Sequence, residues 1–172
     1  GKAVDLALKR EGDALILVGE TRGHLGASLY LREIEGREDG APPPVDLAVE
    51  RANGEFVRGR IAAGQVAACH DIADGGLLVA IAEMAMAGGQ GVALRDLPAG
   101  TAALFGEDQG RYLIETAAPG AVLAAARSMG IYAEIIGTVG GSALTLPGGG
   151  AISVNELTAA NEAWLPGYMA GG

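Results

Sequence analysis

The sequence predicts an α+β domain, a mixed sheet with helices packed on it in three layers, α/β/α, and partly ferredoxin-like in the order βαββαβ. Three observations carry this. Short apolar runs alternate with stretches of helical apolar spacing. Two strand–helix–strand units follow one another between Val66 and Val139. The composition is 49% hydrophobic but only 4% aromatic, so the core has to be built from Ala, Val, Leu and Ile. A purely parallel, doubly wound sheet is the alternative, because helices and strands do alternate.

The 172 residues are read as one domain, 1–172, long enough to bury a real core. Ala14-Leu15-Ile16-Leu17-Val18 is wholly apolar and ends at Gly19, as a buried strand does. A Gly-punctuated loop runs to Gly26, and Leu25 to Ile34 has helical spacing. Gly40-Ala41-Pro42-Pro43-Pro44 is a stiff linker. Val45 to Ala63 reads as one long helix or two short ones, weakened in the middle by Gly54. Val66 to Cys69 is a strand, His70 to Gly76 a turn, and Leu77 to Ala87 a helix closed by Gly88-Gly89. Val92 to Leu94 and Tyr112 to Glu115 are strands, Pro119 to Met129 a helix, and Ala133 to Val139 a strand. Ser142 to Leu146 and Ala151 to Val154 form a hairpin around Gly148-Gly149-Gly150. A last helix, Asn155 to Trp164, ends before Pro166, with Trp164 and Tyr168 anchoring the tail to the core. The chain opens without Met, in what reads as a helix, as a fragment of a longer chain would, or equally a processed or engineered start.

The formal net charge of −9 opposes sequence-independent nucleic-acid binding, which needs a basic face, and adsorption to anionic membranes. Neither an apolar run of membrane-spanning length nor a signal-peptide core is present, so a cytoplasmic location is expected. A single cysteine, Cys69, excludes an internal disulfide.

The sharpest local signal is His70-Asp71-Ile72-Ala73-Asp74-Gly75-Gly76-Leu77, between a strand and a helix. Gly75 and Gly76 would let the backbone approach a ligand, and the helix start would offer N–H groups to a phosphate. Asp71 or Asp74 would face a Mg²⁺ ion, or an Asp would simply cap the helix. A second cluster is Phe105-Gly106-Glu107-Asp108-Gln109-Gly110-Arg111-Tyr112. Its Glu107, Asp108, Gln109 and Arg111 supply acceptors and donors of both signs, with Arg111 suited to a phosphate or carboxylate, or paired with a neighbouring carboxylate in a solvated turn. The nucleotide- or phosphate-binding candidates are therefore His70, Asp71, Asp74, Gly75, Gly76, Glu107, Gln109 and Arg111. Thr21 to Ser28 is a third Gly-bounded loop, but without the lysine and spacing of a P-loop; it reads as packing at a helix start, with His24 a turn residue. A Cys69–His70 nucleophile is rejected, because adjacent strand residues point to opposite faces.

Gly19-Glu20-Thr21, Leu25-Gly26-Ala27-Ser28, His70 to Leu77, Ala82-Glu83-Met84 and Phe105-Gly106-Glu107, in that order and spacing, resemble the C-terminal domain of the aminoimidazole-ribonucleotide-synthetase superfamily. Within it they most resemble the last domain of the phosphoribosylformylglycinamidine synthase family. The resemblance covers nearly the whole chain, including Asn155-Glu156-Leu157 through Pro166. It implies a parent that uses ATP and Mg²⁺ to convert formylglycinamide ribonucleotide and glutamine-derived ammonia to the amidine, through a phosphorylated amide oxygen. The parent would have two halves, each with an N-terminal synthetase domain ahead of a domain like this one. It also implies a glutaminase subunit and a small bridging subunit as partners. Where the family's first half carries a Glu-Ser-Gln run, this chain has Glu107-Asp108-Gln109, which points to the second half and a catalytically silent half-site lined by Asp71, Asp74, Glu107 and Arg111. The family's catalytic His lies in domains outside these residues, so no catalytic role passes to His70. Other superfamily members, such as aminoimidazole ribonucleotide synthetase, thiamine-phosphate kinase, selenophosphate synthetase or a hydrogenase-maturation factor, are the alternative, and a free-standing binding domain is a third reading. A domain severed from its partners should self-associate through an exposed apolar face.

Overall fold

Ala14–Val18 is apolar at every position because the strand it forms, β1, is covered on both faces, and all five residues are buried. A computed structural model describes residues 3–97 and 99–170. After β1 come α1 (Leu29–Glu33), α2 (Leu47–Ala62), β2 (Ala68–Asp71), α3 (Gly76–Gly88), β3 (Val92–Leu94) and α4 (Thr101–Phe105). Then follow β4 (Tyr112–Thr116), α5 (Pro119–Ser128), β5 (Ala133–Val139), β6 (Ala143–Thr145), β7 (Ala151–Ser153) and α6 (Val154–Met169).

The seven strands form one mixed sheet in the order β2-β4-β1-β5-β3-β6-β7, antiparallel except for the β3–β6 pair. On one face Leu15 and Leu17 pack with Leu77, Ile81 and Met84 of α3 and Val154 of α6. On the other, Ile16 and Val18 pack with Phe56 and Val57 of α2 and Val122 and Ala126 of α5. The architecture is therefore α+β in three layers. The helices fall on opposite faces for a reason of handedness. β2 and β4 run in opposite directions, so right-handed crossovers through α3 to β3 and through α5 to β5 must pass over opposite faces. The ferredoxin-like order is kept only in part: both strand–helix–strand units exist, but β4 and β5 are nested between β2 and β3, with β1 inserted between them and α3 and α5 on opposite faces. A strand with no polar face belongs at the centre of a sheet, and β1 takes that place.

Several local expectations also change. Residues 3–13 form no helix; they are a strap whose Lys9 and Arg10 amides donate to the Glu115 carboxylate, at 3.0 Å and 2.8 Å. The helix expected from Leu25 begins at Leu29, because Ala27 is left-handed (φ 56°) and Ser28 caps Leu31 N. Val45 to Ala63 becomes one helix capped by Asp46, and Gly54 faces the Tyr112 hydroxyl at a distance where a Cβ would crowd it. β2 runs on through His70 and Asp71, which pair with Leu113 and Tyr112, so the turn begins only at Ile72. α4 has five residues, too few to show a period. α6 passes through Pro166, and Trp164 and Tyr168 stack on each other 5.4 Å apart, exposed at 68% and 69%, and so do not anchor the tail. At an exposed helix end, proline forfeits one hydrogen bond without breaking the last turn.

Candidate functional site

Three loops meet at one end of the sheet: residues 19–28 after β1, 72–75 after β2, and 106–111 before β4. The 106–111 loop binds the other two. Glu107 Oε1 accepts from Leu29 N and from Gly75 N, both at 2.8 Å. Its own amide donates to His24 O at 2.9 Å. Asp108, 5% exposed, accepts three successive amides: Arg22 N at 2.9 Å and Gly23 N at 2.8 Å on Oδ2, and His24 N at 3.1 Å on Oδ1. Arg111 is 1% exposed and donates to Asp108 O, Thr21 Oγ1 and Gly106 O at 3.1, 3.1 and 2.6 Å. Burial pulls its pKa below the ordinary arginine value, and Asp108 opposes that pull. Gly76, at φ +75°, lies so close to the same loop that a Cβ would come within 2.6 Å of Phe105 C.

The structure thus gathers Asp74, Gly75, Gly76, Glu107 and Arg111 around one loop junction, while Gln109 caps it by donating to Glu107 O at 3.2 Å. It does not present them as an open phosphate cradle. The Gly75 amide is held by Glu107, the Gly76 amide donates to Ala73 O, and the Arg111 donors turn inward. No Asp caps α3; its N-cap is Gly75, without a side-chain bond. Asp74 and Glu107 line a small hollow of about 230 Å³ with Ala27, Ser28, Arg32 and Glu38.

His70 and Asp71 stand apart from this junction, on the edge strand β2. The His70 ring lies between two carboxylates, with Nε2 2.8 Å from Glu83 Oε2 on α3 and Nδ1 3.3 Å from Asp71 Oδ1. Burial, with Asp71 nearby, pushes the Cys69 thiol up to about 11, which suits a packed core residue better than a nucleophile. His24 ties its loop to the proline linker, its ring Nε2–H donating to Ala41 O at 2.7 Å. Among the described residues no three His, Cys, Asp or Glu side chains converge as a metal cage. Asp71 and Asp74 are exposed single carboxylates, which fits a Mg²⁺ that arrives on nucleotide phosphates and keeps most of its waters.

A cleft of about 310 Å³ opens beside the junction, and sequence reasoning did not foresee it. Its walls include Glu20, Arg22, Asp46, Glu50, Asp108 and Tyr132. Buried Asn53 holds one rim by donating to Gly110 O at 2.8 Å. The residues come from four separate stretches of chain, so no linear motif announces them. Asp108 is the hub; the sequence marks it as an acceptor in the polar 105–112 turn and as the departure from Ser in a Glu-Ser-Gln run, but not as the acceptor of another loop's amides.

The model of AIR synthase related protein, C-terminal domain, matches residues 10–146. The phosphoribosylformylglycinamidine synthase subunit PurL of Caulobacter vibrioides is 59% identical over 161 residues, covering 92% of this chain and 22% of that protein. The PurL of Parvibaculum lavamentivorans is 56% identical over 177 residues, covering 98% of this chain and 24% of that protein. The chain therefore spans about a quarter of the length of these relatives. Thermotoga maritima PurL complexed with FGAR shares the fold at a TM-score of 0.73 and 20% identity, over 90% of this chain and 29% of that one. Escherichia coli HypE, a hydrogenase maturation protein, gives 0.60 at 26% identity, over 88% of this chain and 52% of that one. With the model matched over 137 consecutive residues, the chain belongs to the family of AIR synthase related proteins, as their C-terminal domain.

Proposed function

We propose that these residues are the C-terminal domain of an ATP-dependent carbon–nitrogen ligase that converts formylglycinamide ribonucleotide and glutamine-derived ammonia to formylglycinamidine ribonucleotide in purine biosynthesis. The observation that carries it is the 59% identity to a PurL over 92% of the chain. Among the solved structures the fold of HypE is further away, at a TM-score of 0.60 against 0.73 for the Thermotoga maritima PurL, which favours this reading over another superfamily activity. In the parent this domain is a scaffold and a catalytically silent half-site. Two features support that: its loop amides and Arg111 are committed to internal partners, and His70 is held between Asp71 and Glu83. Bound Mg²⁺ would neutralise ATP phosphates; here Asp71 or Asp74 would face it. The further domains of the parent, a glutaminase subunit and a small bridging subunit complete the assembly, in the cytoplasm.

The test uses the full-length parent, assayed for ADP release that requires both formylglycinamide ribonucleotide and ammonia. No substrate-dependent release would end the proposal. Within an active parent, Asp71→Ala and Asp74→Ala should leave kcat within about twofold of the native enzyme, the effect expected of groups that stabilise no transition state. Nucleotide occupancy that is unchanged in Asp71→Ala and Arg111→Ala would remove these residues from any half-site.

A further inference from the structure

We propose that the floor of the 310 Å³ cleft is a latent anion site: a nest of backbone amides that the chain's own Asp108 carboxylate occupies, and that accepts inorganic phosphate or a phosphate monoester once that carboxylate is removed. Successive backbone N–H groups that converge on one point form an anion-binding concavity. Here the N–H groups of Arg22, Gly23 and His24 converge within 2.8–3.1 Å of one carboxylate. Gly23 makes this possible with φ +76°, which turns its peptide so that neighbouring amides share a target.

The occupant does not come from the same turn. Asp108 arrives from 84 to 86 residues away, so this is one loop filling another's anion hole and not a local capping bond. Behind it stands the Arg111 guanidinium, fully buried, with Nη1 4.0 Å from Asp108 Oδ2. Three amide dipoles and a desolvated cation make the hole electropositive in a chain whose net charge is −9. The hole is also reachable, since Arg22, Gly23, His24 and Asp108 all line the open cleft.

Three rim carboxylates bear on an entering anion. Asp46 is engaged in capping Ala48 N and Val49 N, and Glu20 lies 3.4 Å from Arg22, which leaves Glu50 as the one that repels without a partner of its own among the described residues. The nest itself is thus filled by a single side chain, that of Asp108. This inference does not draw on the reaction of the parent, and its test reads no turnover.

The experiment compares the 172-residue chain with its Asp108→Ser and Asp108→Asn variants. Inorganic phosphate is titrated against potassium chloride at matched ionic strength, with phosphorus NMR line width and thermal unfolding as readouts. Asp108→Ser, which vacates the nest, should bind phosphate at least about tenfold more tightly than the native chain. Its unfolding temperature should rise with phosphate and stay flat in chloride. Asp108→Asn fills the same space without charge and should stay blind to phosphate. Equal phosphate affinity in the native and Ser chains would overturn the proposal. So would equal affinity in the Asn and Ser chains, because the nest would not then be the locus. A Ser variant that stays unfolded in phosphate would overturn it too, since an opened nest should be refilled by the added anion.

Discussion

Arg111 has the chemistry of a phosphate clamp and the position of a structural pin. Its three donors end on a carbonyl of its own loop, the Thr21 hydroxyl and the Gly106 carbonyl, and essentially none of it reaches solvent. An internal cation is kept in place by such partners, and its removal strands all of them without water. Arg111→Ala should therefore destabilise the chain by about 3–5 kcal/mol, measured by urea unfolding against the native protein. A loss below about 1 kcal/mol would mean that the guanidinium is exposed in solution. The residue types at the junction were legible in the sequence, but their commitments were not. Nothing around Arg111 says that Thr21, 90 positions earlier, will fold over it. Likewise Glu107 looks like a free ligand until its carboxylate is found on two amides from two other loops. Polar residues in a Gly-rich turn look alike whether they serve a ligand or another loop, and only long-range geometry separates the two.

At the scale of elements, the strap of residues 3–13 shows how a segment without regular structure can be held firmly. Leu8 is buried against α3, with its amide on Met84 O at 3.2 Å, and Gly88 leaves the room for it. Lys9 and Arg10 then hang on the Glu115 carboxylate, itself fully buried on β4. Burial raises the Glu115 pKa above its ordinary value of 4.5; the two amides oppose that rise, and Asp13 adds to it. A carboxyl whose folded pKa is raised binds its proton more tightly in the native state. Its stabilising contribution is thus complete below the ordinary value and is lost as pH rises through the folded value. The stability of the native chain relative to Glu115→Gln should therefore fall as pH rises above the ordinary value of 4.5, by denaturant titration at several pH values. A difference that grows with pH would show that the amide bonds outweigh the burial. Strands and long helices were readable from period and turn residues, whereas the strap was misread as a helix. Its apolar spacing serves contacts with α3, and a carboxylate on a distant strand takes the amides that a helix would have used internally.

Across the whole molecule, the three layers satisfy the sheet but leave apolar surface at the periphery. Val45 and Leu47 stand exposed at the start of α2, and Trp164, Leu165, Tyr168 and Met169 at the end of α6. A nearly apolar groove of about 230 Å³ runs between α3, β6, β7 and α6, lined by Leu78, Val79, Phe105, Leu146, Ile152 and Leu157. The groove adjoins β7, an edge strand of the sheet, where open backbone groups add to the pull towards another chain. A net charge of −9 opposes association at low ionic strength, and salt screens that repulsion while leaving apolar contact intact. The isolated chain should accordingly form dimers or larger species, and more of them at 0.5 M than at 0.05 M salt. Trp164→Ser with Tyr168→Ser should shift the population towards monomer, because those two rings are the largest exposed apolar groups and touch each other more than the core. Light scattering at high protein concentration decides it. A monomer at both salt concentrations would mean that these surfaces, taken singly, are too small to hold a second copy.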